Sequence, residues 1–105
     1  MEIEQKKALF RLIKKSILDF CNSDYSDRIE KSVPKALKSM DYKVFFEFSF
    51  KISDALSKKV LKCEKNIIYG IGFGNNKAAF AMELPFKRSI VTEKLLNIRM
   101  EDIIF

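Results

Sequence analysis

The sequence predicts an α+β fold that forms a single domain over residues 1–105. Three observations predict it: helical spacing of apolar residues near the N-terminus, apolar–polar alternation in the middle of the chain, and a glycine–asparagine turn further on. The length of 105 residues is typical of one domain, and 48% hydrophobic residues are sufficient for a buried core. We expect two N-terminal amphipathic helices followed by a β-α-β-β-α-(β) segment.

Amphipathic patterns predict both N-terminal helices. In the first, residues 3–21, the apolar face comprises Leu9, Leu12, Ile13, Ile17 and Phe20. In the second, residues 26–40, it comprises Ile29, Val33, Ala36, Leu37 and Met40. Pro34 removes a backbone donor and crowds the preceding turn, so the second helix either kinks or restarts there, and we favour a break.

Residues 42–52 carry the clearest strand pattern in the chain. Alternation of apolar with mostly polar residues places one apolar set on a single face, namely Val44, Phe46, Phe48, Phe50 and Ile52. Ser53 and Asp54 then supply the capping chemistry for a third helix that extends to about Lys62.

A β-hairpin is predicted next. Its strands cover residues 66–73 and 77–86, and Gly74-Asn75-Asn76 joins them because these residue types tolerate positive φ. Antiparallel pairing of the two strands follows from so short a connection.

The C-terminal part is expected to contain a short helix over residues 90–97 and a last strand or docked tail over residues 99–105. From residue 42 onward, this order fits an antiparallel or mixed sheet of ferredoxin-like topology. A curved sheet wrapped by the N-terminal helices is the alternative.

The residue types argue against an enzyme. The chain has no histidine, which excludes a Ser–His–Asp or Cys–His arrangement. Two cysteines without histidine do not make an ordinary structural zinc site, so no metal or cofactor is expected. Cys21 and Cys63 are expected to be reduced and structural, as in a cytoplasmic protein.

Two weak motifs have simpler explanations than catalysis. Glu47 with Lys51, and Glu83 with Lys87, resemble fragments of a magnesium-dependent nuclease site, but such a site needs at least two convergent carboxylates. Exposed strand carboxylates paired with lysines across the sheet explain both.

Glycine alternates at Gly70, Gly72 and Gly74 but matches no phosphate-binding motif. The dinucleotide fingerprint needs a third glycine where Asn75 stands and a helix immediately afterwards. We expect bulky side chains from a helix or from a partner chain to lie across this flat strip, and we favour packing in the core over a ligand groove.

Charge is the strongest functional indication. The chain carries +6, of which residues 1–65 contribute +5, which suits an acidic protein or nucleic acid. If the helices lie side by side, their basic faces would merge into one binding surface. The simpler alternative is that these lysines only keep the protein soluble. The candidate residues are Lys7, Arg11, Lys14, Lys15, Arg28, Lys31, Lys35, Lys38, Lys58 and Lys62.

Surplus apolar residues indicate a second kind of surface. Leu18 lies among the charges of the first helix, Phe45 lies on the polar side of the predicted strand, and Phe105 ends the chain. Such residues are expected at an interface with a partner or with a second copy of the chain. No apolar stretch is long enough to cross a membrane, so no membrane partner is expected.

The sequence therefore favours a small non-enzymatic interaction protein that docks onto another macromolecule, of the accessory, immunity or phage- or plasmid-encoded inhibitor type. The expected partner is another protein, with an acidic face favoured, and a homodimer stays open. Nucleic-acid binding through the basic helix faces is the alternative. A nuclease built on carboxylates and lysines is a third, less favoured class.

Overall fold

A computed structural model describes residues 1–24 and 27–103 of the chain. It contains three α-helices and a three-stranded antiparallel sheet, so the α+β class is confirmed. The helices are α1 (Ile3–Cys21), α2 (Tyr42–Ala55) and α3 (Arg88–Leu95), and the strands are β1 (Arg28–Ser32), β2 (Ile68–Gly74) and β3 (Lys77–Met82).

The sheet is built around the β2–β3 hairpin, with the strand order β1-β3-β2. Phe80 of the central strand lies opposite Ile29 of β1 and opposite Ile71 of β2. The two-residue turn adopts the expected left-handed conformation, with φ of 52° at Asn75 and 61° at Asn76. The predicted hairpin is therefore confirmed, although β3 ends at Met82, before Pro85.

Helices α1 and α2 lie over one face of this sheet, and α3 packs against α1. Alternate β3 residues Ala78, Phe80 and Met82 are buried on that face, whereas Ala79 and Ala81 are half-buried on the other. Helix α1 packs against β1, and α2 packs against β2. The two layers enclose one hydrophobic core, to which α1 contributes its predicted apolar stripe.

Residues 42–52 form a helix, so the strand predicted there is wrong. Asp41 caps α2, since its side chain accepts a hydrogen bond from the backbone N–H of Lys43 at 2.9 Å. The helical spacing was not recognised because two positions on the buried face of α2, Ser49 and Ser53, are polar. The buried positions are Phe45, Ser49, Ile52, Ser53 and Ala55.

No separate third helix begins at Ser53. Instead α2 continues directly into a π-helical turn, Leu56–Val60. Ser57 links this turn to the residue that precedes β2: its hydroxyl donates to the carbonyl of Ser53 at 2.6 Å and accepts from the N–H of Ile67 at 3.0 Å. This contact orients the chain that leads into β2.

The helix predicted over residues 26–40 is also wrong. Its first part is the edge strand β1, which pairs with β3, and a short 3-10 helix, Lys35–Leu37, follows Pro34. The favoured break at Pro34 is confirmed, but the segment before it is extended. Strand β1 buries little, so its sequence has only a weak apolar alternation.

The C-terminal part is a helix followed by a short turn. Helix α3 confirms the predicted helix, and residues Met100–Asp102 form a 3-10 helix before buried Ile103. The ferredoxin-like arrangement would begin with a strand over residues 42–52, and that segment is helix α2. The described residues therefore do not form it.

The aromatic core corrects two of the predicted interface residues. Phe45 is fully buried, and its ring stacks on Phe73 at a centroid distance of 4.2 Å and on Phe80 at 6.5 Å. Leu18 is half-buried and packs against the core. Phe45 and Leu18 thus stabilise the monomer, and Phe105 lies outside the described residues.

Adjacent phenylalanines should respond very differently to truncation. We expect Phe45→Ala to lower the free energy of unfolding by about 3–5 kcal/mol, because it leaves a cavity between α2 and the sheet. Phe46→Ala should cost much less, about 1 kcal/mol, since Phe46 is 41% exposed whereas Phe45 is fully buried. Urea unfolding followed by circular dichroism measures both, and equal losses would contradict the helical register of α2.

Candidate docking surfaces

The exposed side of α1 carries a row of cations. Lys7, Arg11 and Lys15 are spaced four residues apart and are all exposed, so they lie on one stripe of the helix. A rise of about 1.5 Å per residue separates successive members by about 6 Å along the axis. We call this stripe the α1 basic ridge.

Two shallow clefts flank the α1 basic ridge, and Arg11 lines both. The first, of about 420 Å³, lies between α1 and β1 and includes Lys15 and Lys31. The second, of about 390 Å³, lies between α1 and the C-terminal segment and includes Lys14 and Arg99. The tertiary fold thus places two further cations, Lys31 of β1 and Arg99, beside the α1 basic ridge.

The charged residues that line the two clefts are mostly cations. They comprise one carboxylate, Glu101, and six cations, namely Lys7, Arg11, Lys14, Lys15, Lys31 and Arg99. Lys31 forms an ion pair with Asp19, and the ammonium of Lys14 donates to the carbonyl of Ile98 at 2.7 Å.

The ridge cations themselves have no such neutralising contacts. In the described part of the chain, neither Lys7, Arg11 nor Lys15 forms an ion pair. Their charges are therefore accessible to an anionic group from outside the chain.

The other basic residues named from the sequence lie apart from this ridge. Arg28 belongs to β1 and pairs with Glu30 at 3.0 Å, and Lys58 pairs with Asp54 at 3.0 Å in the turn after α2. Lys35 and Lys38 are exposed in and beside the 3-10 helix, and Lys62 lines a different cleft. Three merged helical faces are thus not formed, because residues 28–32 form strand β1.

A second surface was missed from the sequence. Tyr42, Phe46 and Phe50 are spaced four residues apart on α2 and are 49%, 41% and 47% exposed. Neighbouring rings stack at centroid distances of 6.1 and 6.4 Å. We call them the α2 aromatic row, and strand alternation had wrongly placed Phe46 and Phe50 on a buried face.

The α2 aromatic row lies along the free edge of β2. The hydroxyl of Tyr42 donates to the carbonyl of Ile71 at 3.2 Å. Ile71 and Phe80 form a non-hydrogen-bonded pair of the antiparallel ladder. The backbone N–H and C=O of Ile71 therefore point away from β3, toward the free edge of β2. The row therefore borders one edge of the sheet, whereas α1 packs against β1 at the other edge.

The glycine strip lies on the sheet face opposite the helices. A Cβ atom at Gly70 would stand 3.2 Å from the Cβ of Ala81, and one at Gly72 would stand 3.8 Å from that of Ala79. These glycines are half-buried beside small neighbours, so the expected packing under bulky core side chains is wrong.

A third cleft, of about 540 Å³, lies beside the loop before β2. Tyr69, 65% exposed, and Phe86 are the aromatic residues in its lining, and Glu83 contributes a carboxylate. Glu47 lies on α2, away from this cleft, so the two acidic residues singled out from the sequence do not converge. Residues 1–24 and 27–103 contain no group of three or more acidic or cysteine side chains placed to hold a metal ion.

The two cysteines are free and half-buried. Burial raises the pKa of the Cys21 thiol, and a hydrogen bond with Thr92 and the charge of Arg88 oppose this only in part. Burial also raises the pKa of the Cys63 thiol, against a smaller effect of Lys94. Both groups are therefore thiols at neutral pH and poor nucleophiles.

No helix in the described residues has the length and hydrophobicity needed to cross a bilayer. Comparisons with known protein families, with curated proteins and with solved structures find no match. Functional inference for this chain therefore depends on its own surfaces.

The raised thiol pKa values predict slow alkylation. Because iodoacetamide reacts with the thiolate, both cysteines should react more slowly than free cysteine at pH 7, and faster as the pH rises. Mass spectrometry of timed samples measures the rates, with protein unfolded in guanidinium as the control. Reaction of either residue faster than free cysteine would contradict this assignment.

Proposed function

We propose that this protein is a small non-enzymatic docking protein that binds an acidic face of another protein through the α1 basic ridge. The observation that carries the proposal is the set of six cations, against one carboxylate, that lines the two clefts beside α1. Complementary charge raises the rate of encounter and rejects partners of like charge. An accessory subunit, an immunity protein or an inhibitor would act in this way.

The lining of the two clefts favours a protein partner. Apolar side chains lie between the cations: Leu12 and Pro34 in one cleft, and Ile98 and Met100 in the other. Such mixed clefts suit the carboxylate and the aliphatic part of acidic side chains. The exposed aromatic rings that stack on bases in single-stranded nucleic acid are on α2 instead, outside this surface.

The absence of histidine from the sequence supports a non-enzymatic role, because it removes the commonest general base. The raised pKa values of both thiols further argue against a cysteine nucleophile. Docking onto another protein requires neither a histidine base nor a cysteine nucleophile.

Nucleic-acid binding is the second candidate, and one observation favours it. Lys7, Arg11 and Lys15 form a linear row of accessible cations along α1, and a phosphate backbone presents a linear row of anions. The two candidates share residues, so they must be separated by the choice of probe and by salt dependence.

Charge reversal on the ridge should abolish most of the binding to an acidic polypeptide. With fluorescent poly-L-glutamate as the probe, we expect Arg11→Glu/Lys15→Glu to weaken binding at least about tenfold, measured by fluorescence anisotropy. Wild-type affinity should also fall with added salt, since exposed charges are screened within about 10 Å at 0.1 M.

The matched control is Lys65→Glu/Lys87→Glu, which changes the net charge equally at two exposed positions away from the ridge. It should affect binding by less than about threefold. Equal weakening by both double variants would overturn the role of the ridge. If mixed-sequence duplex DNA binds more tightly than poly-L-glutamate and is lost in the ridge variant, nucleic acid becomes the assigned partner.

A further inference from the structure

Arg11 is the central residue of the surface proposed for docking. Successive helical residues are rotated by about 100°, so Lys7 and Lys15 lie about 40° to either side of Arg11 around the axis of α1. Lys15 lines the first cleft and Lys7 lines the second, whereas Arg11 lines both. The side chain of Arg11 therefore lies between the two clefts that flank the ridge.

Arg11 has no ionic partner within the described part of its own chain. Carboxylates border this surface, but none of them pairs with Arg11. Glu4 precedes Arg11 by about 10 Å along the helix axis, Asp19 pairs with Lys31, and Glu101 lines the second cleft. The exposed guanidinium of Arg11 is thus available to a carboxylate from outside the chain.

Two other arginines are engaged in contacts within the fold. Arg28 pairs with Glu30 at 3.0 Å, and Arg88 donates to the carbonyl of Phe20 at 3.2 Å. An arginine binds a carboxylate through two parallel hydrogen bonds, whereas a lysine presents a strongly hydrated point charge. Arginines near the centre of an interface are also among the residues that contribute most to binding. The central cation of the ridge is therefore the one with the geometry to hold a carboxylate.

Apolar side chains line both clefts beside Arg11. Leu12 and Pro34 lie in the first cleft, and Ile98 and Met100 lie in the second. The cleft volumes, about 420 and 390 Å³, fall within the roughly 300–1,000 Å³ of ligand pockets, so each cleft admits an apolar side chain. The complement of this surface is a carboxylate with an apolar side chain on either side.

An extended segment provides this arrangement across a helix. Side chains two residues apart share one face of a β-strand, so an acidic residue and the apolar residues two positions before and after it span about 13 Å. The diameter of a helix with its side chains is about 10–12 Å. A segment of this kind that crosses α1 at Arg11 thus places one apolar residue over each cleft.

We propose that Arg11 binds the carboxylate of an extended partner segment with the pattern apolar-x-acidic-x-apolar, where x is any residue. The two apolar side chains enter the clefts, and Lys7 and Lys15 steer the acidic segment toward the helix. This inference rests on the proposed docking function, and it specifies the kind of segment that the α1 basic ridge recognises.

Peptides of equal length, charge and composition test the pattern. The first is a fluorescent peptide of Leu-Ser-Glu-Ser repeats, in which leucine stands two positions before and after glutamate. The second consists of Leu-Glu-Ser-Ser repeats, which place leucine and glutamate on opposite faces of an extended chain. We expect the wild type to bind the first peptide at least about tenfold more tightly than the second, measured by fluorescence anisotropy.

The ratio of the two dissociation constants reports on the clefts. Met100→Ser removes an apolar side chain from the second cleft, so the ratio should fall toward one while circular dichroism shows the native fold. Phe46→Ser is the matched control, since Phe46 is an exposed apolar residue of the α2 aromatic row, outside both clefts. It should leave the ratio unchanged.

A substitution that conserves charge tests the role of Arg11. Arg11→Lys loses the planar guanidinium, so binding of the first peptide should weaken at least about tenfold. The salt dependence should stay close to that of the wild type, because the number of charges is the same. Arg28→Lys, the same change apart from the ridge, should alter binding by less than about twofold.

Equal affinity of the wild type for the two peptides would overturn the pattern, and an Arg11→Lys variant that binds like the wild type would overturn the assignment of Arg11. In either case the ridge acts as a diffuse patch of charge, and the docking proposal stands if Arg11→Glu/Lys15→Glu still loses poly-L-glutamate. Failure of the wild type to bind any of these acidic polypeptides would instead overturn the docking proposal, and this inference with it.

Discussion

The stack of Phe45 on Phe73 and Phe80 is the contact on which the remaining architecture depends. It attaches α2 to the sheet and sets the rotation of that helix about its axis. Successive helical residues are rotated by about 100°, so burying Phe45 turns Phe46 and Phe50 outward. The packing that completes the core therefore also creates the exposed aromatic row.

The elements that could be predicted are those whose signals are local. Helix α1 has an unbroken apolar stripe, and the β2–β3 turn has two asparagines at positive φ. Both kinds of signal act over a few neighbouring residues. The α+β class follows from them, since an amphipathic helix and a hairpin each need an apolar face to be covered.

The errors arose where distant contacts decide the conformation. Strand β1 pairs with β3, far along the chain, and its five residues bury too little to show a clear pattern. In α2, the alternating phenylalanines are typical of a strand, while Ser49 and Ser53 fill the helical buried face. Asp41 was a local signal for a helix rather than a strand at this point, because a capping side chain indicates a helix start.

The two surfaces differ in predictability for the same reason. Lys7, Arg11 and Lys15 share a face through helical periodicity alone, whereas Lys31 and Arg99 join them only through the tertiary fold. The α2 aromatic row depends on the helical register and was invisible under a strand assignment. Wrong periodicity exchanged Phe45 with Phe46, so the buried ring was assigned to the surface and the exposed one to the core.

Electrostatics distinguishes the two surfaces. Two α1 basic ridges brought together would place cations against cations, so self-association through that face is unfavourable. The α2 aromatic row is bordered by exposed residues of both signs, namely Lys43, Glu47 and Lys51. The proposed acidic partner is therefore directed to the β1 edge of the sheet, against which α1 packs.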